Sequence, residues 1–233
     1  MQDQSNICRG RGLRAYGRGG GLVNARLRQA AALLLLAALV AATAVQAQSE
    51  RPRLLVLGDS LTAGFGLAQD QAFPVKLQAW LQRAGIDVAV INGGVSGDTS
   101  AGGLARLDWA LGAKPPDYAV VELGANDALR GLSTAALYDN LDKIVSRLQA
   151  RRVKVMVAGM YAPRNLGRDY DSEFDAVYPR LAQARGVPLY PFFLEGVAGK
   201  PALNQPDGMH PNAQGVDVIV ERIGPVIASL IKG

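Results

Sequence analysis

"RLLVLGDSLTAG", residues 53–64, decides the fold. Arg53 to Gly58 is a short run of Leu and Val closed by glycine, which is the pattern of a buried strand. The run does not alternate polar and apolar residues, so both faces of the strand must be covered, as in a parallel sheet with helices on each side. The chain then turns at once. Ser60 lies between Gly58 and Gly64, on a tight passage from strand to helix that presents its hydroxyl at the edge of the sheet.

Further along, "DVAVIN" (87–92), "DYAVVELG" (117–124), "VKVMVAG" (153–159) and "VPLYPF" (187–192) repeat the strand pattern. Helical patterns separate them. "PVKLQAWLQRAG" and "SEFDAVYPRLAQARG" each end in a capping glycine, with Pro179 a candidate kink in the second. "STAALYDNLDKIVSRLQARR" has apolar residues at helical spacing and a basic last turn. "PNAQGVDVIVERIGPVIASLIK" closes the chain, with a bend expected at Pro225. Strand–helix alternation through five strands predicts a three-layer α/β/α domain with a parallel sheet.

Ligands of such sheets bind beyond the carboxyl ends of the strands. The residues there are "GDSLTAG", "NGGVSGDTS", "GAND" and "GMYAPRNLGRDY", followed by "PDGMHP" before the last helix. That last loop holds His210, the only histidine among the 233 residues.

The N-terminal residues form a separate segment. Six arginines between Arg9 and Arg28 precede an uncharged apolar run from Ala30 to Ala47. A basic start, an apolar core and a small-residue exit describe a secretory signal peptide over residues 1–47, with cleavage expected after Val45-Gln46-Ala47. The alternative is a single membrane anchor, for which 18 apolar residues are barely long enough. The small residues at the exit favour cleavage, and with it a periplasmic or secreted protein that has no stable membrane insertion.

The leader accounts for the formal charge of +5, since it holds six of the 25 basic residues and one of the 20 acidic ones. Nineteen of each remain in residues 48–233, so the charge gives no support for nucleic-acid binding. The one cysteine, Cys8, is also in the leader, which excludes disulfides and thiolate zinc sites from the rest. Residues 48–233 are enough for a single domain.

The rim residues suggest nucleophilic catalysis. A serine hydroxyl is a weak nucleophile until a base takes its proton, and the only imidazole available is His210. Asp207 lies three residues before it across Gly208-Met209, close enough to fold back onto one ring nitrogen while the other faces Ser60. Each element has a plainer reading. Asp59 or Ser60 caps the next helix, Asn126 is a turn residue, and the glycine loop binds phosphate. A Walker lysine and the dinucleotide spacing are both missing, which counts against phosphate. One histidine is also too few for a metal-hydrolase cluster. As an acyl-transfer site, the glycine loop offers backbone N–H donors and Asn126 a side-chain donor to a developing oxyanion.

"GDSL" at 58–61, Gly97 in "SGDT", "GAND" at 124–127 and "DGMH" at 207–210 together resemble the four blocks of the GDSL, or SGNH, hydrolases. The order and spacing match across nearly all of residues 48–233. "VELGANDALRG", "YPRLA" and "VPLYPFFLEGV" point within that family to the secreted bacterial thioesterase I, arylesterase and lysophospholipase group. The resemblance implies a flavodoxin-like five-stranded parallel sheet. It implies Ser60 as nucleophile, His210 as base and Asp207 as its orienter. The oxyanion hole it implies consists of the Ser60 and Gly97 amides and the Asn126 side chain. Where the family reads "GGND", this chain has Ala125.

The expected activity is hydrolysis of small acyl or aryl esters and thioesters, lysophospholipids included, by a monomer needing no metal or organic cofactor. Two rivals remain at this point. One is an O-acetylesterase of carbohydrate or cell-wall polymers on the same scaffold, and the other is a non-catalytic binding module.

Overall fold

The structure, a computed structural model, describes residues 51–233. The leader expected over residues 1–47 lies outside the described residues.

Five parallel strands form the sheet: β1 (Arg53–Gly58), β2 (Ala89–Gly94), β3 (Tyr118–Glu122), β4 (Lys154–Ala158) and β5 (Leu189–Tyr190), in the order β2-β1-β3-β4-β5. This is the flavodoxin-like order expected, and it puts the topological switch point between β1 and β3. Register matters here. Gly58, the last residue of β1, lies beside Gly94 of β2 and Glu122 of β3, so three loops leave the sheet at one level.

The helices are α1 (Ser60–Ala63), α2 (Phe73–Arg83), α3 (Ser100–Ala105), α4 (Leu107–Leu111), α5 (Ala125–Leu129), α6 (Thr134–Ala150), α7 (Arg168–Arg185) and α8 (Ala213–Lys232). The long helices α2 and α8 pack together, as do α6 and α7, with α3 against α6. Leu54, Leu55, Val56 and Leu57 are buried without a break, as a strand covered on both faces requires. Ser133 caps α6 through the Ala136 N–H, and Asn212 caps α8 through the Gly215 N–H.

The structure shifts several boundaries. β2 begins at Ala89 rather than Asp87, because the Ala89 N–H bonds to the Pro52 carbonyl and sets the register against β1. β5 is only two residues long, since Pro188 and Pro191 flank it and neither has an N–H for the ladder. α7 starts at Arg168, four residues earlier than the pattern suggests. Pro179 and Pro225 lie inside α7 and α8, which run on through them. A helix directly after β1 is expected from the sequence and is found as α1, but the bounds of the short helices α1, α3, α4 and α5 are not legible there, because four to six residues are too few to show a 3.6-residue period.

Candidate active site

The nucleophile candidate opens α1, the shortest of the α-helices described above. Asp59 caps α1 by accepting the Leu61 N–H on Oδ1 at 3.0 Å. The capping reading of "GDSL" is thus correct for Asp59, and it leaves Ser60 free. His210 Nε2 lies 2.9 Å from Ser60 Oγ, across 150 residues of chain. On the other side of the ring, Nδ1 lies 2.6 Å from Asp207 Oδ2. The second carboxylate oxygen, Oδ1, accepts the Met209 and His210 N–H groups at 2.9 and 3.0 Å. The His210 and Met209 backbone donors, then the His210 ring, hold Asp207 down at about 2, so it stays ionised.

Gln205 joins the two ends of this relay. Its Nε2 donates to the Phe65 carbonyl beyond α1 at 2.7 Å and to the Pro211 carbonyl at 2.9 Å. The Gln205 N–H bonds back to the His210 carbonyl, and Asn204 pairs with Pro211 in an antiparallel bridge. The Phe65 ring lies 4.7 Å from the imidazole, centre to centre. The sequence reading missed both Gln205 and Phe65, since neither belongs to a motif and only tertiary contact gives them a role.

The donors are grouped beside the hydroxyl. Among the described residues, neither the Ser60 nor the Gly97 N–H has a protein acceptor. Gly97 has φ +84°, a left-handed conformation suited to glycine. Its carbonyl is held by Arg130 Nη2 at 2.8 Å. Arg106 secures the next residue by pairing with Asp98 and donating to the Gly58 carbonyl at 2.9 Å. Asn126 Nδ2 reaches Asp59 Oδ2 at 3.1 Å and the Asp98 carbonyl at 2.9 Å. Gly124 precedes it at φ +122°, where a Cβ would come within 2.1 Å of the Tyr178 hydroxyl. That hydroxyl donates to the Leu123 carbonyl, which fixes the entry to α5. Asp127 accepts the Ser100 N–H and hydroxyl at 2.7 and 2.6 Å, which locks α5 to α3.

Two buried acids lie under the site. Asp59 is pushed up to about 6 by burial, against the pull of the Leu61 N–H and Asn126. Glu122 is pushed well above the carboxylate range by burial and by the Asp59 charge beside it, and it accepts the Thr62 hydroxyl at 2.7 Å. A single acid at the end of the apolar strand "YAVVE" was the one visible signal of this pair.

Ser60, Gly97, Asn126 and His210 all line one cleft of about 570 Å³. Its other walls are mainly apolar and include Leu129, Met160, Tyr161, Pro163, Phe192 and Leu194. Tyr161 and Phe192 stack at 4.7 Å. Among the described residues no cluster of acids and histidine has the makings of a metal site.

A hydroxyl, an imidazole and a carboxylate hydrogen-bonded in sequence, with free N–H donors alongside, is the arrangement used by hydrolases with a serine nucleophile. Comparison with known proteins shows a hydrolase of esters. Residues 56–218 match the GDSL-like lipase/acylhydrolase family. The chain is 39% identical to the esterase TesA of Pseudomonas aeruginosa, over 85% of this chain and 98% of that protein. It is 38% identical to the thioesterase 1/protease 1/lysophospholipase L1 of Escherichia coli, over 77% of this chain and 85% of that protein. The crystal structure of AlinE4, an esterase of the SGNH-hydrolase family, superposes with a TM-score of 0.66 at 45% identity, covering 78% of this chain and 98% of that one. The chain belongs to the GDSL-like lipase/acylhydrolase family and is an ester-hydrolysing enzyme.

Proposed function

We propose that the enzyme hydrolyses carboxylic esters and thioesters through an acyl-enzyme on Ser60. The observation that carries this is the 2.9 Å contact between Ser60 Oγ and His210 Nε2, with Asp207 on the opposite ring nitrogen. Ser60 Oγ attacks the acyl carbon as its proton passes to Nε2. The carbonyl oxygen becomes an anion that the Ser60 and Gly97 N–H groups and Asn126 Nδ2 stabilise. Asn126 serves it by sharing the N–H now on Asp59, the longer of its two bonds. Collapse of the tetrahedral adduct expels the alcohol or thiol, which takes the proton from the imidazolium. Water then repeats the sequence, with His210 as base, and releases the acid. Asp207 keeps the ring oriented and stabilises its positive charge without taking the proton.

The apolar cleft supports acyl and aryl substrates, lysophospholipids included, over the polyhydroxylated surface of a glycan. Residues 1–47 act as a signal peptide, and residues 48–233 are the exported, monomeric catalytic domain. Among the described residues no helix is long and apolar enough to cross a membrane. The test is labelling with an organophosphonate, followed by peptide mass spectrometry, beside turnover of p-nitrophenyl esters and an acyl-CoA. Label on Ser60, and its loss together with turnover in Ser60→Ala, is expected. Label on another serine would refute the assignment.

A further inference from the structure

Asp59 is fully buried one residue before Ser60, yet it has no part in the relay. Among the described residues no salt bridge reaches it. A buried carboxylate without a paired cation is costly, so something else must favour one at this position.

Its two oxygens meet two different donors. Oδ1 takes the Leu61 N–H of the helix that carries Ser60, and Oδ2 takes Nδ2 of Asn126 from the loop after β3. Asn126 gives its other N–H to the Asp98 carbonyl. A carboxylate and a carbonyl accept and do not donate, so together they settle which end of the Asn126 side chain is nitrogen. Turned over, the amide would set its oxygen against two acceptors and present no donor at that point in the cleft.

We infer that Asp59 is a positioning residue, whose single carboxylate ties the Ser60 turn to Asn126 and fixes that amide as a donor toward the oxyanion. This rests on the roles given above to Ser60 and Asn126. The requirement is chemical. Two N–H groups converge on one short side chain, which must then offer two acceptors and no donor. Ionised aspartate meets it. Asparagine has one oxygen, so its NH₂ group would face either Leu61 N–H or Asn126 Nδ2. Serine and threonine cap a helix but do not span to a second donor. Glutamate adds a methylene where Asp59 has no accessible surface. The neighbouring Glu122 supports the arrangement. Burial and the Asp59 charge raise it well above its ordinary value, which favours the protonated form of Glu122 beside an ionised Asp59.

The experiment is a double-mutant cycle on the full chain, with Asp59→Asn and Asn126→Ala alone and together, and Ser60→Ala as control. Steady-state kinetics use p-nitrophenyl acetate. Asp59→Asn should lower kcat by about 10²-fold, the size of effect a misplaced catalytic group produces, with KM little changed. In the Asn126→Ala background the same change should cost severalfold at most. Equal losses in both backgrounds would show that Asp59 acts through the nucleophile helix alone and would overturn this inference while leaving the relay standing. Turnover retained by Ser60→Ala would overturn the relay and this inference together. If Asp59→Asn does not fold, Asp59→Ser carries the same cycle, since it keeps a cap for Leu61 and cannot reach Asn126. A wild-type kcat in either variant would also refute the inference.

Discussion

Asp207 divides its carboxylate between the backbone and the ring of the same residue, His210. Oδ1 accepts the His210 N–H at 3.0 Å, and Oδ2 lies 2.6 Å from its Nδ1. One side chain thus shapes the turn that presents the imidazole and also sets the ring's tautomer. Asp207→Ala and His210→Ala should each lower kcat by several orders of magnitude, and the double variant should be little worse than His210→Ala. Additive losses in a kinetic cycle would show that Asp207 acts independently of the ring.

That carboxylate also limits the acid dependence. With its folded value depressed to about 2, Asp207 contributes stability above the usual carboxylate range, near pH 4, and loses it as pH falls through about 2. It remains ionised at pH 5, so acid loss of kcat/KM between pH 5 and 8 does not come from Asp207, whereas Asp59, raised to about 6 by burial, titrates within that window. Activity that declines with acidity, and is unchanged by EDTA, is the expected result. Loss in EDTA that zinc restores would contradict the mechanism.

Asn126→Ala should lower kcat by about 10²–10³, with KM for a short p-nitrophenyl ester nearly unchanged. Asn126→Asp should be at least as damaging, because a carboxylate repels the oxyanion. A purely structural asparagine predicts a lower melting temperature with normal kcat. Kinetics and thermal melts on one preparation separate the two.

Glu122 has the opposite linkage to Asp207. Its folded value is raised, so the native state holds the proton more tightly than the unfolded chain, and stability falls as pH rises above about 4 toward the folded value. Glu122→Gln removes the ionisable group and keeps an oxygen for Thr62. Thermal melts at pH 5 and pH 8 should show a smaller loss of stability in the variant than in the wild type. Parallel curves would show that Glu122 ionises without cost.

N-terminal sequencing of the exported protein should begin near Gln48. An intact leader retained in the membrane fraction would favour the anchor.

The sequence alone determined the strand series, the long helices, and the loops that carry Ser60, Gly97, Asn126, Asp207 and His210. Those features are local. Apolar runs, capping residues and glycine-bounded turns follow from the chemistry of neighbouring residues. Asp207 and His210 were legible as a pair for the same reason, being three residues apart. Tertiary structure decided what depends on distant segments meeting. The two-residue β5 and the start of β2 depend on which backbone lies alongside. Gln205 bridges Phe65 and Pro211 only because the last loop returns over α1. Asp59 reads in sequence as a helix cap, which it is. Its second oxygen found Asn126, 67 residues away, only because the order β2-β1-β3 sets the ends of β1 and β3 side by side. A side chain with two acceptors has one partner that sequence can predict and a second that only the packing of the sheet supplies.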